Sequence, residues 1–521
     1  MTAILFHGGR VHVGDGTSAE AVLAIDGRVA AVGRMADLRR VAGTAEAVDL
    51  DGGLMTPGWI DAHVHFMWWA IQMGQVDLRD AATVDDALAA TADYARRLPE
   101  GAWVQGGRFD KNRWGRWPTA AELDRVTAGR PAALRSHDGH SRWLNTAALR
   151  AAGIDAATAA PAGGAIDRDE HGAPTGILKE NANWLADAVV PSPGDDECFA
   201  AITRAQVEAH RRGIVGIEDL EPANAFHAFA RRHERGELAL RVAMGIPYAS
   251  LDAAIGIGIR TGLGDAWLRV GHLKIFTDGA LGSQTAALEQ PYAGSTDRGL
   301  LTIDPAVLGP AVARAADAGI AVAIHAIGDR AVRVALDAIA PTRATQPQLR
   351  QRVEHVQLVR TEDIARFGAL GIIPSMQPLH ATSDRDLVDR HWGPERAGRA
   401  YPWRSLGAGG AVLAFGSDAP VEPIDPLRGI HAAVARRRPG DADRWQPQEA
   451  LTLDAAIAGY TSGAAFATGR EREAGTLAVG MRADATVIDR DLAALPPEEW
   501  SEATVRATIV DGVVRHADGL R

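Results

Sequence analysis

Between residues 58 and 418 the chain repeats one pattern: a short apolar run rich in β-branched residues, then an Ala/Leu/Arg-rich stretch with apolar residues at helical spacing. Runs of the first kind cover 58–65, 213–219, 240–247, 273–278, 320–327, 352–358, 371–377 and 411–418, and stretches of the second kind include 305–318 and 331–340. Strands separated by helices are joined by crossovers and lie parallel. A parallel sheet is covered on both faces, so its strands are apolar throughout. Eight such units make an α/β protein of the (β/α)8 TIM barrel class the expected fold. Between the first two runs lies a long excursion, 101–183, rich in Trp, Gly and Pro, with a hairpin expected around Asp167 to Gly172. Excursions of this length cap or serve a site. Trp103, Trp114 and Trp117 are expected to form its own core.

The two ends read differently. Residues 21–25 and 28–32 flank Asp26-Gly27, and residues 505–510 and 513–516 flank Asp511-Gly512. Asp-Gly suits a two-residue hairpin turn. Isolated hairpins are marginal in water, so residues 1–56 and 460–521 are expected to pair into one composite β-sandwich, leaving 57–459 as the barrel.

Cys198 is the only cysteine among 521 residues, which excludes an intramolecular disulfide and any zinc site built on several thiolates. A metal would need nitrogen and oxygen ligands. The net charge of −11 argues against nucleic acid or anionic membrane as a partner. No apolar run reaches the length of a membrane span, and residues 1–7 lack the basic head and apolar core of a secretory signal, so a cytoplasmic location is expected.

Candidate ligands fall at the ends of the expected strands. In His63-Val64-His65 the two imidazoles lie two residues apart, on one face of a strand. His325, His355 and Asp418 stand at the ends of later runs, where barrel active sites are built. Lys274 sits inside the apolar run Leu273-Lys274-Ile275-Phe276. Burial depresses the pKa of a lysine, and a neutral amine can react with carbon dioxide to give a carbamate, an anionic oxygen ligand.

At these motifs the chain resembles the amidohydrolase superfamily, and within it the amidohydrolase-3 branch, which includes N-substituted formamide deformylases. The resemblance rests on Asp61-Ala62-His63-Val64-His65, on residues 273–283, on His325-Ala326-Ile327-Gly328-Asp329, on Glu354-His355 and on Gly416-Ser417-Asp418-Ala419-Pro420. Residues 136–145, 176–180 and 475–484 extend it over essentially the whole chain. It implies a metal centre with His63, His65 and Asp418 on one ion, His325 and His355 on a second, and N6-carboxylated Lys274 as the bridge. Such ligands suit Zn²⁺, with Mn²⁺, Fe²⁺ or Co²⁺ as alternatives and one or two ions in place. It also implies hydrolysis of an amide or N-formyl/N-acyl C–N bond in a small-molecule substrate by a metal-activated hydroxide, with Asp418 as catalytic acid/base. Trp68, His140, Asp278 and Gly279 are the expected substrate contacts, and Asp329 is an expected helix cap. Among such relatives a homodimer is common. Ester, carbamate or lactam hydrolysis by the same centre is the alternative, and a catalytically silent barrel scaffold a distant one. Deamination fits less well, because Gly328 stands where single-metal deaminases of the superfamily place a glutamate. Glu218 departs from the branch pattern, which has a histidine or a small residue there.

Overall fold

The structure, a computed structural model, describes residues 2–14, 16–221 and 223–519. Eight parallel strands follow one another in a single sheet: β1 (Trp59–Val64), β2 (Ile214–Asp219), β3 (Arg241–Pro247), β4 (Leu268–Phe276), β5 (Val322–Ala326), β6 (Arg352–His355), β7 (Ile373–Met376) and β8 (Ala414–Phe415). Each overlaps one of the apolar runs. The fourth starts earlier than its apolar pattern suggests, and the last is only two residues long.

The sheet curls until its edges meet. The Asp418 amide donates to the His63 carbonyl at 2.8 Å, and the His65 amide donates to the Ala419 carbonyl at 2.9 Å. The Asp61 carboxylate staples the same seam, accepting the amides of Ser417 at 2.9 Å and His63 at 3.2 Å. Gly416 makes this approach possible, since a Cβ there would lie 2.5 Å from the His63 nitrogen. The β/α pattern is therefore realised as a nearly closed TIM barrel.

Helices Pro305–Asp317 and Asp329–Thr345 cover the outside of β5, where Leu308, Val312, Val332 and Leu336 join Val322 and Ile324 in one apolar cluster. Burying each such side chain stabilises the fold by about 1.5–3 kcal/mol. Asp329 does not cap its helix. Gly328 holds that position, and the Asp329 carboxylate accepts the Glu289 amide at 2.9 Å instead. At the end where the strands begin, Ala464, Ala465 and Ala467 of helix Ser462–Ala467 pack against Ile60, Val215 and Ile373.

Both chain ends contribute to a pair of sheets. One runs Arg28–Gly33, Ala21–Ile25, Ala3–His7, Glu46–Asp49; the other runs Val513–Ala517, Val505–Val510, Ala485–Ile488, Leu54–Pro57, Arg10–His12, Ser18–Ala19. Phe6 and Val22 of the first meet Met55, Val487 and Ile509 of the second in a shared core. Both Asp-Gly turns form as their chemistry requires, with φ of 45° and 76° at Asp26-Gly27 and 56° and 74° at Asp511-Gly512.

The excursion after β1 folds around its own six-stranded sheet: Gly164–Arg168, Pro174–Glu180, Ser141–Leu144, Ala132–Ser136, Val104–Phe109 and Val76–Asp77. The first two of these strands are the expected hairpin. Trp114 and Trp117 pack on Phe109, while Trp103 joins a separate cluster with Leu144 and Leu178.

Candidate metal centre

The interior of the barrel is polar where many barrels are aliphatic, and this determines how the centre is held. The Arg352 guanidinium grips Glu354 through Nε at 2.7 Å and Nη2 at 2.9 Å, and its Nη1 donates to Glu218. Glu218 also accepts from His272 Nδ1 at 2.5 Å, and His272 Nε2 reaches the Arg350 carbonyl at 2.8 Å. The glutamate that departs from the branch pattern is thus the partner of a buried arginine. Glu354 is held well below the usual carboxylate range: burial pushes it up, but Arg352 and His63 outweigh that. It remains ionised and accepts from His63 Nδ1 at 2.5 Å.

That hydrogen bond fixes the His63 tautomer. With the proton on Nδ1, Nε2 presents a lone pair to Asp418 Oδ1, 3.3 Å away. His65 repeats the arrangement, with Nδ1 at 3.2 Å from the Glu221 carboxylate and Nε2 at 3.2 Å from the same Asp418 oxygen. The Nδ1 of His355 lies 2.8 Å from Gln377 Oε1, which again leaves Nε2 free. His325 is turned the other way. Its Nε2 meets the Gly279 carbonyl at 3.1 Å and Asp278 Oδ1 at 3.4 Å, leaving Nδ1 as the free nitrogen. Imidazoles anchored through one nitrogen by a carboxylate or carbonyl are the usual form of metal-ligating histidines.

The tightest group is His63, His355 and Asp418, whose ligand atoms all lie within 4.8 Å of one another. Around it stand His65, then His325 at a ring separation of 4.5 Å from His355, and the Lys274 amine 3.4 Å from His63 Nε2. His355 has φ 71° and Asp418 has φ 57°, conformations that cost a non-glycine residue about 1–3 kcal/mol and that collect at functional sites.

These donors fit a cation. Asp418 Oδ1 is buried, and the Nε2 atoms of His63 and His65 converge on it at 3.3 and 3.2 Å. Lone pairs converging on one buried point need positive charge among them. The titration behaviour shows the cluster's attraction for positive charge. Burial pulls the His65 imidazolium down, yet hydrogen bonds to Asp418 and Glu221 carry it up to about 9. Burial raises the Asp418 carboxyl, but His63, His65 and His355 hold it well below the ordinary range. Burial drives the Lys274 ammonium down to about 8, against the pull of Glu354 and Asp418.

The centre opens into a cleft walled by residues of the excursion and of the segments after β4, β7 and β8. His140 lines it with Nδ1 held by Glu180 at 2.8 Å and its ring 5.3 Å from that of His325. The other expected contacts do not line this cleft but stand against the candidate ligands. Asp278 and Gly279 stand behind His325, and the Asp278 carboxylate accepts the amides of Ile327, Gly328 and Ala287 at 2.9–3.0 Å. Trp68 packs beside His65 with Arg135 over its ring. His380 was not singled out from the sequence. It sits on helix Pro378–Ser383 after β7, with Nδ1 at 3.2 Å from Gln357 and Nε2 buried and 3.7 Å from Asp418 Oδ2. A lone histidine within a helix carries no spacing signal, and only its place one turn beyond a barrel strand could have marked it.

A sequence model described as the amidohydrolase family matches residues 46–516. The chain belongs to the amidohydrolase family. It is 32% identical to the N-substituted formamide deformylase of Arthrobacter pascens, over 96% of this chain and 95% of that one. It is also 32% identical to the protein LONG AFTER FAR-RED 3 of Arabidopsis thaliana, over 94% of this chain and 86% of the relative. Among solved structures, an uncharacterised metal-dependent hydrolase from Pyrococcus horikoshii matches with a TM-score of 0.77 at 26% identity, over 99% of this chain and all of that one. Its counterpart from Pyrococcus furiosus matches with a TM-score of 0.75 at 28% identity, over 95% of this chain and all of that one. For this amidohydrolase, the buried histidine and aspartate cluster is the candidate metal site. Among the described residues no helix is long and apolar enough to cross a membrane.

Proposed function

We propose that this amidohydrolase cleaves the C–N bond of an N-formyl or N-acyl amine, with His63, His65 and Asp418 holding one divalent metal and His325 and His355 a second. Zn²⁺ suits these imidazole and carboxylate donors. The observation that carries the reading is the convergence of His63 Nε2 and His65 Nε2 on the buried Asp418 Oδ1, at 3.3 and 3.2 Å, with the Nδ1 atoms of both rings held by carboxylates. When bound, the metal supplies Lewis acidity, polarising a carbonyl and making water acidic enough to attack near neutral pH.

The chain's own groups do the rest. Lys274, whose ammonium burial brings down to about 8, has a neutral fraction able to attack carbon dioxide. That step would form an N–C bond and release a proton, and the carbamate would supply an anionic oxygen donor beside His63, whose Nε2 lies 3.4 Å from the Lys274 amine. Asp418, within 3.2–3.3 Å of two histidines, takes the proton of the attacking water and returns it to the departing nitrogen, so that the C–O bond forms as the C–N bond breaks. His140, oriented by Glu180, donates to the substrate carbonyl from the cleft wall.

Metal content per chain, measured after growth on several metals, tests this reading together with hydrolysis of a panel of N-formyl and N-acyl amines. The expected result is about two equivalents, with activity lost to chelation and restored by Zn²⁺ or Mn²⁺. Protein that retains no metal and gains no activity on metal addition overturns it.

A further inference from the structure

Away from the metal ligands, the cleft wall is acidic. It carries Asp110, Asp138, Asp384 and Glu422 against one lysine, Lys111. Two of these carboxylates have internal work. Asp110 accepts the Asn112 amide at 2.8 Å, and Asp138 accepts the Ser136 hydroxyl at 2.5 Å and the His140 amide at 3.0 Å. Asp384 accepts one hydrogen bond, from the Tyr401 hydroxyl at 2.7 Å.

Glu422 is different. It is 6% exposed, it lines the cleft, and among the described residues it makes no hydrogen bond and no ion pair. Arg108 lies close enough for the two charges to feel one another, but its guanidinium donates to the Val421 carbonyl at 3.2 Å and faces Asp77 at 4.0 Å. A side chain this buried whose carboxylate meets only the cleft gains from a positive charge placed there. Asp384 lies in the same cleft: burial raises its carboxyl, and His380 and the Tyr401 hydroxyl, opposed by a smaller push from Glu422, do not cancel that rise. Two carboxylates, neither hydrogen-bonded to a cationic side chain among the described residues, therefore share the cleft that leads to the candidate metal centre.

We infer that Glu422 and Asp384 form a subsite for a cationic group on the substrate, so that the compound hydrolysed is an amide carrying an ammonium or amidinium group remote from the scissile bond. This deepens the hydrolase reading and rests on it. The charge is recognised by charge-assisted hydrogen bonds, and the metal ligands act on the far end of the same molecule. Loss of one such bond at a buried site costs about tenfold to a hundredfold in affinity.

The test uses the metal-loaded full chain and two probes, N-formylputrescine and N-pentylformamide, which differ only in an ammonium where the other has a methyl. The expected kcat/KM is about tenfold or more higher for the cationic probe, with the advantage falling as salt rises. Glu422→Gln and Asp384→Asn are each expected to shrink that ratio several-fold. Equal or faster hydrolysis of the neutral probe by the wild-type chain, a measurement that needs no variant, overturns the inference. So does a ratio that neither substitution moves. If neither formamide is hydrolysed, the hydrolase reading fails separately, and calorimetric titration of the same pair decides the subsite. Tighter binding of the cationic probe, weakened by Glu422→Gln, supports it; equal binding, or none, overturns it.

Discussion

Exchanging Glu354 for glutamine removes the carboxylate that ties His63, the first proposed metal ligand, to the barrel interior. Glu354 accepts from His63 Nδ1 at 2.5 Å and from Arg352 at 2.7 and 2.9 Å, and none of the three side chains is exposed. Glutamine has one acceptor oxygen for these donors, and its own NH2 faces a donor whichever way it turns. Arg352 is left with Glu218 as its only carboxylate partner. Breaking a buried pair by removing one member costs about 3–5 kcal/mol, and loosening the group behind a metal-binding imidazole costs about tenfold to a hundredfold in metal affinity. Denaturant unfolding of metal-stripped protein reads the first effect. Competition with a chelator of known affinity reads the second. Full stability together with wild-type metal affinity refutes the reasoning. A loss of stability with metal affinity intact leaves Arg352 as the real client of Glu354 and removes its positioning role for His63.

Other consequences are as direct. Lys274→Ala is expected to lower metal content from about two equivalents toward one; unchanged stoichiometry by elemental analysis refutes the bridge. Gly279→Ala would put a Cβ 2.1 Å from Thr285 Oγ1 and 2.3 Å from Glu180 Oε1, so a loss of about 1–3 kcal/mol is expected, and thermal unfolding with an unmoved midpoint contradicts it. Burial holds the His210 imidazole down to about 4, with Nδ1 at 3.1 Å from the Ile214 carbonyl. The unfolded chain takes up that proton near pH 6.5 and the folded chain only near 4. The stabilisation is therefore complete above 6.5 and is lost as the pH falls through this window, by on the order of 3 kcal/mol. Unfolding free energies between pH 7 and 4 should fall less steeply in His210→Asn, and an identical slope counts against the assignment.

Much of this was readable in the residues. The eight apolar runs became eight strands because period and length are local properties, and the Asp-Gly turns formed at positions of positive φ, which Asp and Gly adopt readily. The candidate ligands His63, His65, His325, His355 and Asp418 were legible because each stands at or near the end of an expected strand, and strand ends in a barrel point to one mouth. What the sequence hid depends on tertiary partners. Glu218 looked anomalous until Arg352 stood beside it. Asp278 is acidic and adjacent to the motif lysine strand, yet it faces three backbone amides. His380 and Glu422 reach the cleft from segments with no periodic signal. The start of the excursion's sheet at Val76 was missed as well, since a two-residue strand carries too little pattern to be seen.

The seam of the barrel has a consequence for biosynthesis. Ser417 and Asp61 are 356 positions apart, and the proposed ligands His63 and Asp418 lie on opposite banks of that junction. A nascent chain emerging from the ribosome exposes His63 early, but has no Asp418 to pair with it until four-fifths of the protein has been made. Contacts of such separation form late and slowly. Metal capture should therefore act as a stamp of completion, absent from truncated translation products and acquired only when the last strand docks against the first.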